Sequence, residues 1–261
     1  MKKHVILLKI LKNVKLVLEK HSIDYWLDCG TLLGAIRDGQ LIKWDTDIDI
    51  GCWKNKNDYL IKKILRKEFM TLGYNVYLTD YFINIHDPKY SNYNVDINFY
   101  SKYANWAITP SNCLMPYLKD PLPIFINHLI RFIYNNRLYL KKYHSMVKYF
   151  IKIYFSLIRY IFLILPSNWQ DIFLDKLIIL RQKLTDHKNE AVEKHYFWDL
   201  VQFNVFNGTY PIPKKYREYL TCRYGSNWET PIQKWDNAKQ DNTVKHLSEL
   251  EHIIEQTIIK E

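Results

Sequence analysis

Residues 24–53 concentrate the groups that can do chemistry: D-Y-W-L-D-C-G-T-L-L-G-A-I-R-D-G-Q-L-I-K-W-D-T-D-I-D-I-G-C-W. Four of the seven glycines (Gly30, Gly34, Gly39, Gly51) lie here with an alternating carboxylate triplet, Asp45, Asp47 and Asp49. Asp47 and Asp49 are one residue apart in an apolar run, so on a strand they project from the same face. Two carboxylates at that distance repel and are costly to keep ionised. A divalent cation removes the conflict, and oxygen-only ligands suit Mg²⁺ or Mn²⁺. A third carboxylate, Asp96, sits in V-D-I-N-F, which reads as a later strand. It would complete the metal shell or take the proton from an attacking hydroxyl. Gly30-Thr31 at a helix start offers bare backbone N–H groups and a hydroxyl, which suit a phosphate. The combination reads as a metal-assisted phosphoryl-transfer site. A solvated acidic turn is the rival, but Trp44, Ile48 and Ile50 draw the segment toward a core and would strand its charges.

The elements that must position these groups follow from periodicity. Leu7, Leu11, Val14 and Leu18 share one face of a helix over residues 3–20, expected to pack on the catalytic core. A short strand follows at 24–29, then a turn and helix from Gly30 through Arg37, closed by Asp38-Gly39. A second strand runs over 45–53. Asn57 or Asp58 caps a helix that stops at Gly73. Runs at 74–79, 81–86 and 93–100 alternate as strands do. The fold class is therefore α+β, with a mixed sheet core, flanking helices and a helical, basic insertion. The expected division is a catalytic core over 1–115, a helical basic segment over 116–190 and a C-terminal part over 191–261. In that last part come a β-like run, a Pro-bounded turn and a short helix from about Pro213.

At 261 residues the chain can bury a substantial core, and 21 Tyr with 8 Trp exclude a disordered composition. Cys29, Cys52, Cys113 and Cys222 show neither C-x-x-C pairing nor zinc spacing, as expected for reduced thiols in the cytoplasm. The basic N-terminus is not expected to be a secretion signal, because its apolar run breaks at Lys9 and no small-residue cleavage site follows.

The net charge of +10 is unevenly spread. Between Pro121 and Gln170 there is no acidic residue, while Arg131, Arg137, Lys141, Lys142, Lys148, Lys152 and Arg159 are basic. An anionic partner is implied. From Arg137 to Arg159 five of these repeat at intervals of 4, 7, 4 and 7, which stacks them along one helical stripe. Tyr, Phe, Ile and Leu fill the rest of the circumference. The longest charge-free run is shorter than the about 20 residues a membrane span needs. The stripe either lies in a membrane interface, at the inner face of a membrane, or is a basic face over an ordinary core. Its aliphatic residues argue against nucleic acid. Ser167 opens one more helix, to about Leu184.

The order of parts resembles the polymerase-β-like nucleotidyltransferase superfamily. At finer grain, W-L-D-C-G-T-L-L-G-A-I-R-D-G, I-K-W-D-T-D-I-D-I-G and V-D-I-N-F are similar to the LicD/fukutin family of phosphotransferases. So is the tail Y-P-I-P-K-K-Y-x-x-Y-L-x-x-x-Y-G-x-x-W-x-x-P. These matches run from Tyr25 to Trp235, with little from 120–190. The resemblance implies a nucleotidyltransferase-like fold. It also implies Mg²⁺-dependent transfer of phosphocholine or an alditol phosphate from a CDP-activated alcohol to a hydroxyl of a glycan or lipid-linked glycan, releasing CMP. Such a reaction would modify a surface polysaccharide or lipopolysaccharide. Carried over by position, Asp47, Asp49 and Asp96 are the metal-binding and catalytic carboxylates. Gly30, Thr31 and Arg37 contact the donor phosphates, although Arg37 can equally pair with Asp38 or Asp45. Asp45 supports. Lys43 stands before Trp44 where many relatives have Pro. Two rivals remain: a nucleotidyltransferase that releases pyrophosphate from a nucleoside triphosphate, and a non-catalytic membrane-binding protein.

Overall fold

The structure, a computed structural model, describes residues 2–110, 121–135, 145–185 and 188–258. Helix α1 (Lys2–Lys20) carries the expected stripe. Leu7, Leu11, Val14 and Leu18 are all essentially fully buried, against β2, β5 and α3 of the elements below. Each such side chain contributes about 1.5–3 kcal/mol of burial free energy, so α1 belongs to the core.

Strand β1 (Tyr25–Leu27) is shorter than expected because Asp28 leaves it to cap helix α2 (Cys29–Arg37). Strand β2 covers Asp47–Trp53, so Asp45 precedes it. Helix α3 (Asp58–Thr71) ends where Gly73 takes φ +85°, a conformation that costs a glycine little. The hairpin β3 (Asn75–Leu78) and β4 (Phe82–His86) leads into β5 (Asn94–Tyr103), the longest strand. The first half of β5 lies between β2, to which it is parallel, and antiparallel β4. Its second half pairs with β6 (Trp106–Pro110).

The sheet does not stop at residue 115. Strand β7 (Lys188–Glu193) pairs with β6, and β10 (Val244–His246) pairs with β7. The result is an eight-stranded mixed sheet with helices around it, an α+β fold. Sequence periodicity did not reveal β6, β7 or β10. The run over 121–165 divides into α4 (Pro121–Asn135) and α5 (Ser145–Ile164), and α6 (Ser167–Thr185) follows. Arg137, Lys141, Lys142, Cys113 and the side chain of Lys148 fall outside the described residues, so most of the predicted basic stripe does too.

Helices α3 and α6 are tied by buried charge. Lys62 pairs with Asp58 at 2.7 Å and donates to the Asp80 carbonyl, also at 2.7 Å. Arg181 of α6 meets the Asp80 carboxylate at 2.8 Å, both side chains being buried. A second hairpin, β8 (Leu200–Val205) and β9 (Gly208–Pro213), turns through Phe206 and Asn207 at φ +56° and +55°. Helices α7 (Tyr216–Tyr224), α8 (Asn237–Gln240) and α9 (Leu247–Ile258) complete the chain. This C-terminal part is fastened to the first strands by Phe197, whose ring stacks on Trp26 at 4.4 Å. Gly51 makes room for that stack, because a Cβ there would lie 2.3 Å from the Trp26 indole.

Candidate active site

The parallel register of β2 and β5 sets Asp47 beside Asn94 and Asp49 beside Asp96. Strand alternation sends Ile48 and Ile50 into the core and the aspartates to the opposite face. One carboxylate oxygen from each of Asp47, Asp49 and Asp96 lies within 4.8 Å of the others. Asp47 and Asp49 are half-buried and Asp96 is buried. Trp44 does not enter the core as expected: it is 40% exposed and forms part of a cavity wall beside the aspartates.

Helix α2 is locked to β2 at its first turn. The Asp28 N–H donates to the Asp49 carbonyl at 3.1 Å, and the Asp49 N–H donates to Thr31 Oγ1 at 2.8 Å. Thr31 is buried and does not line the cavity, so its hydroxyl holds the strand at Asp49. Gly30 does line it. A Cβ on Gly30 would stand 2.8 Å from Asp45 Oδ2, so glycine lets that carboxyl close over the helix start. From the other side, Lys3 of α1 donates to the carbonyls of Lys43, at 2.7 Å, and Asp45. Arg37 is not brought to the cavity. Its Nε and Nη2 both donate to Asp38, at 2.8 Å each, the structural pairing of the two open to it.

Electrostatics mark the cluster as incomplete on its own. Burial, with the charges of Asp47, Asp96 and Asp45, raises the Asp49 carboxyl well above its ordinary value. Burial pushes Asp96 up to about 7, against a hydrogen bond from Asn84 that favours the charged form. Burial and a hydrogen bond to Asp47 push Asp45 up to about 8. Among the described residues no Lys or Arg forms an ion pair with Asp45, Asp47, Asp49 or Asp96. An all-carboxylate donor set with no internal counter-charge fits a hard divalent cation.

Several groups at the site escaped sequence reasoning. Asn84 Nδ2 donates to Asp96 Oδ1 at 2.6 Å and Asn98 Nδ2 to Asp49 Oδ1 at 3.4 Å. Asn98 was within reach, being two residues beyond Asp96 and so on its face of β5. Glu190 of β7, Arg223 of α7 and Asp241 also line the cavity. Arg223 binds Glu190 through Nη2 and Asp241 through Nε, the latter at 3.0 Å, and donates to Tyr219 Oη at 3.1 Å. Tyr219 and Tyr100 both donate to Asp28, the cap of α2. No local motif announces this chain of contacts, because its members are up to 191 residues apart. The cavity holds about 360 Å³, with Trp44, Tyr224, Trp228 and Trp235 as aromatic walls. Tyr224 meets Trp235 edge-on at 5.2 Å.

The mixed sheet thus brings three carboxylates on adjacent parallel strands together beside a Gly-Thr helix start. Residues 22–117 match the family described as LicD/FKTN/FKRP, nucleotidyltransferase domain. An uncharacterised protein of Rickettsia prowazekii is 39% identical over 75 residues, covering 29% of this chain and 27% of that one. The ribitol 5-phosphate transferase FKRP of Homo sapiens is 51% identical over 37 residues, 14% of this chain and 8% of that protein. The matched stretches thus span about a quarter or less of these relatives. Among solved structures, ANT(2'')-Ia in complex with adenylyl-2''-tobramycin aligns with 67% of this chain and 95% of its own, at 11% identity and a TM-score of 0.29.

Proposed function

We propose that the protein transfers a phospho-alcohol, phosphocholine or an alditol phosphate, from a CDP-activated donor to a glycan hydroxyl, releasing CMP. The observation that carries this reading is the convergence of Asp47, Asp49 and Asp96 at one end of an aromatic-walled cavity. The family match over residues 22–117 and the similarity to FKRP support a transferase of this class.

Asp47, Asp49 and Asp96 would hold Mg²⁺ or Mn²⁺, which when bound neutralises charge on the donor diphosphate. The chain's own residues supply the rest. The first turn of α2 at Gly30 presents backbone N–H groups to phosphate oxygens. Thr31 and Asp28 keep that turn in register with Asp49. Trp44, Trp228 and Trp235 narrow the cavity and keep bulk water from the reacting centre, which strengthens every charge interaction inside it. Positioning and charge neutralisation carry most of the catalysis in such transfers.

The test is chromatographic detection of CMP from CDP-choline, CDP-ribitol and CDP-glycerol, with a glycan acceptor, in Mg²⁺ or in EDTA. Mg²⁺-dependent CMP from one donor, absent in Asp47→Asn, is the expected result. Pyrophosphate from a nucleoside triphosphate, with no CMP from any donor, would replace this reading with ordinary nucleotidyl transfer.

A further inference from the structure

Helix α5 has two apolar faces, and only one is packed among the described residues. Ile151, Phe155, Ile158 and Phe162 form a stripe packed into the core. The opposite face shows Tyr149, Phe150, Ile153, Tyr154, Leu157, Tyr160, Ile161 and Ile164, with Tyr160 and Ile164 each 67% exposed. Lys152 and Ser156 are the polar residues among them. A surface helix ordinarily turns its charged face to water. A contiguous exposed apolar face marks a place where something else is bound. Just beyond α5, Trp169 and Ile172 of α6 are also exposed.

Beside this face lies a shallow hollow of about 380 Å³, where Lys63, Arg66 and Lys67 of α3 meet Arg159 of α5. No acidic side chain lines it among the described residues. Arg66 Nη1 is anchored on the Tyr134 carbonyl at 3.0 Å, and Arg159 Nε on that of Ile133 at 3.4 Å. Two guanidinium groups are thus fixed at the rim.

We propose that the outer face of α5 and the basic hollow beside it dock the protein on an anionic lipid leaflet. The chemistry of the two parts matches the two layers of such a surface. Aliphatic side chains and rings suit the acyl boundary, Tyr and Trp suit the headgroup level, and Lys and Arg suit lipid phosphates. Among the described residues no helix is long and apolar enough to cross a membrane, so the contact is peripheral. The complete lack of Asp and Glu from Pro121 to Gln170 removes any repulsion from the leaflet. A second copy of the chain fits less well, because pairing this face with itself would oppose the same cations. Nucleic acid would leave the aliphatic residues wet.

The experiment is flotation of the full chain with vesicles of phosphatidylcholine, alone or mixed with phosphatidylglycerol, at low and high salt. Wild-type protein is expected to float with the mixed vesicles and to detach partly in high salt. Leu157→Glu/Ile161→Glu should remain at the bottom of the gradient, with an unchanged circular dichroism spectrum. Lys63→Glu/Lys67→Glu should lose about tenfold or more of its partition to mixed vesicles, while keeping its residual binding to phosphatidylcholine. Three outcomes would overturn the proposal: wild type that fails to float, variants that float equally well, or a wild-type dimer that Leu157→Glu/Ile161→Glu dissolves while no form binds vesicles.

Discussion

Asp49 and Asp96 stand directly opposite each other across the parallel strands β2 and β5, and among the described residues neither has a cationic partner. Two facing carboxylates ordinarily weaken a sheet. Here the backbone ladder, the Thr31 hydroxyl and two asparagine side chains hold them in place. That local repulsion is what the proposed cation would relieve.

Asn84 holds Asp96 by a 2.6 Å hydrogen bond, and its Oδ1 lies 3.3 Å from His86 Nδ1. Asn84→Ala should lower activity or metal affinity by about 10–100-fold, the usual effect of freeing a metal-ligating side chain. Its thermal midpoint should change little. CMP release measured against Mn²⁺ concentration checks this.

Gly30→Ala would place a methyl 2.8 Å from Asp45 Oδ2. Asp45 can swing away, so the fold should survive, but the carboxyl would no longer close over α2. A displacement on that scale is expected to cost about 100-fold in turnover. Steady-state kinetics beside a melting curve separate this from simple unfolding.

Tyr219 connects Arg223 to Asp28 and so to the cap of α2. Tyr219→Phe removes that link without changing the packed ring. A loss of about 1–3 kcal/mol is expected from the buried groups left short of a partner, together with reduced activity. Chemical denaturation and the CMP assay read the two effects. The activity loss is the informative part, since Tyr219 lies outside residues 22–117 and would show that the C-terminal part completes the site.

Acid stability should report the Asp80–Arg181 pair. Burial alone would push the Asp80 carboxyl up, but the Arg181 guanidinium beside it overrides this and holds it below the ordinary value. A carboxyl lowered on folding stabilises above its unfolded value, about pH 4, and loses that contribution as pH falls through the folded value. Wild type should therefore weaken on acidification below about pH 4, and Asp80→Asn should show a flatter profile there. Arg181→Met, which strands a buried carboxylate, should cost about 3–5 kcal/mol at neutral pH. Denaturant midpoints across pH check both.

What the sequence disclosed, and what it hid, follows from the range of the interactions. Asp47, Asp49 and Asp96 were legible because a period of two is a local property, and both runs have apolar neighbours that fix the faces. Helix α1 was legible through Leu7, Leu11, Val14 and Leu18 for the same reason. Strand β7 was not, because K-N-E-A-V-E buries Asn189 and half-buries Glu190, reversing the usual link between polarity and exposure. Glu190 can be half-buried there only because Arg223, 33 residues on, meets it. Arg37 was judged by its place in a motif, yet its nearest carboxylate is its neighbour Asp38. Trp44 was assigned to the core by its ring, and the cavity claims that ring instead.

The most direct measurement is Mn²⁺ binding by electron paramagnetic resonance in wild-type, Asp49→Asn and Asp96→Asn protein, each shown to be folded. The account predicts Mn²⁺ bound to wild type in the presence of CDP, displaced by Mg²⁺, and lost in both variants. Equal Mn²⁺ binding by wild type and both variants would contradict it, since the facing aspartates would then not be the ligands.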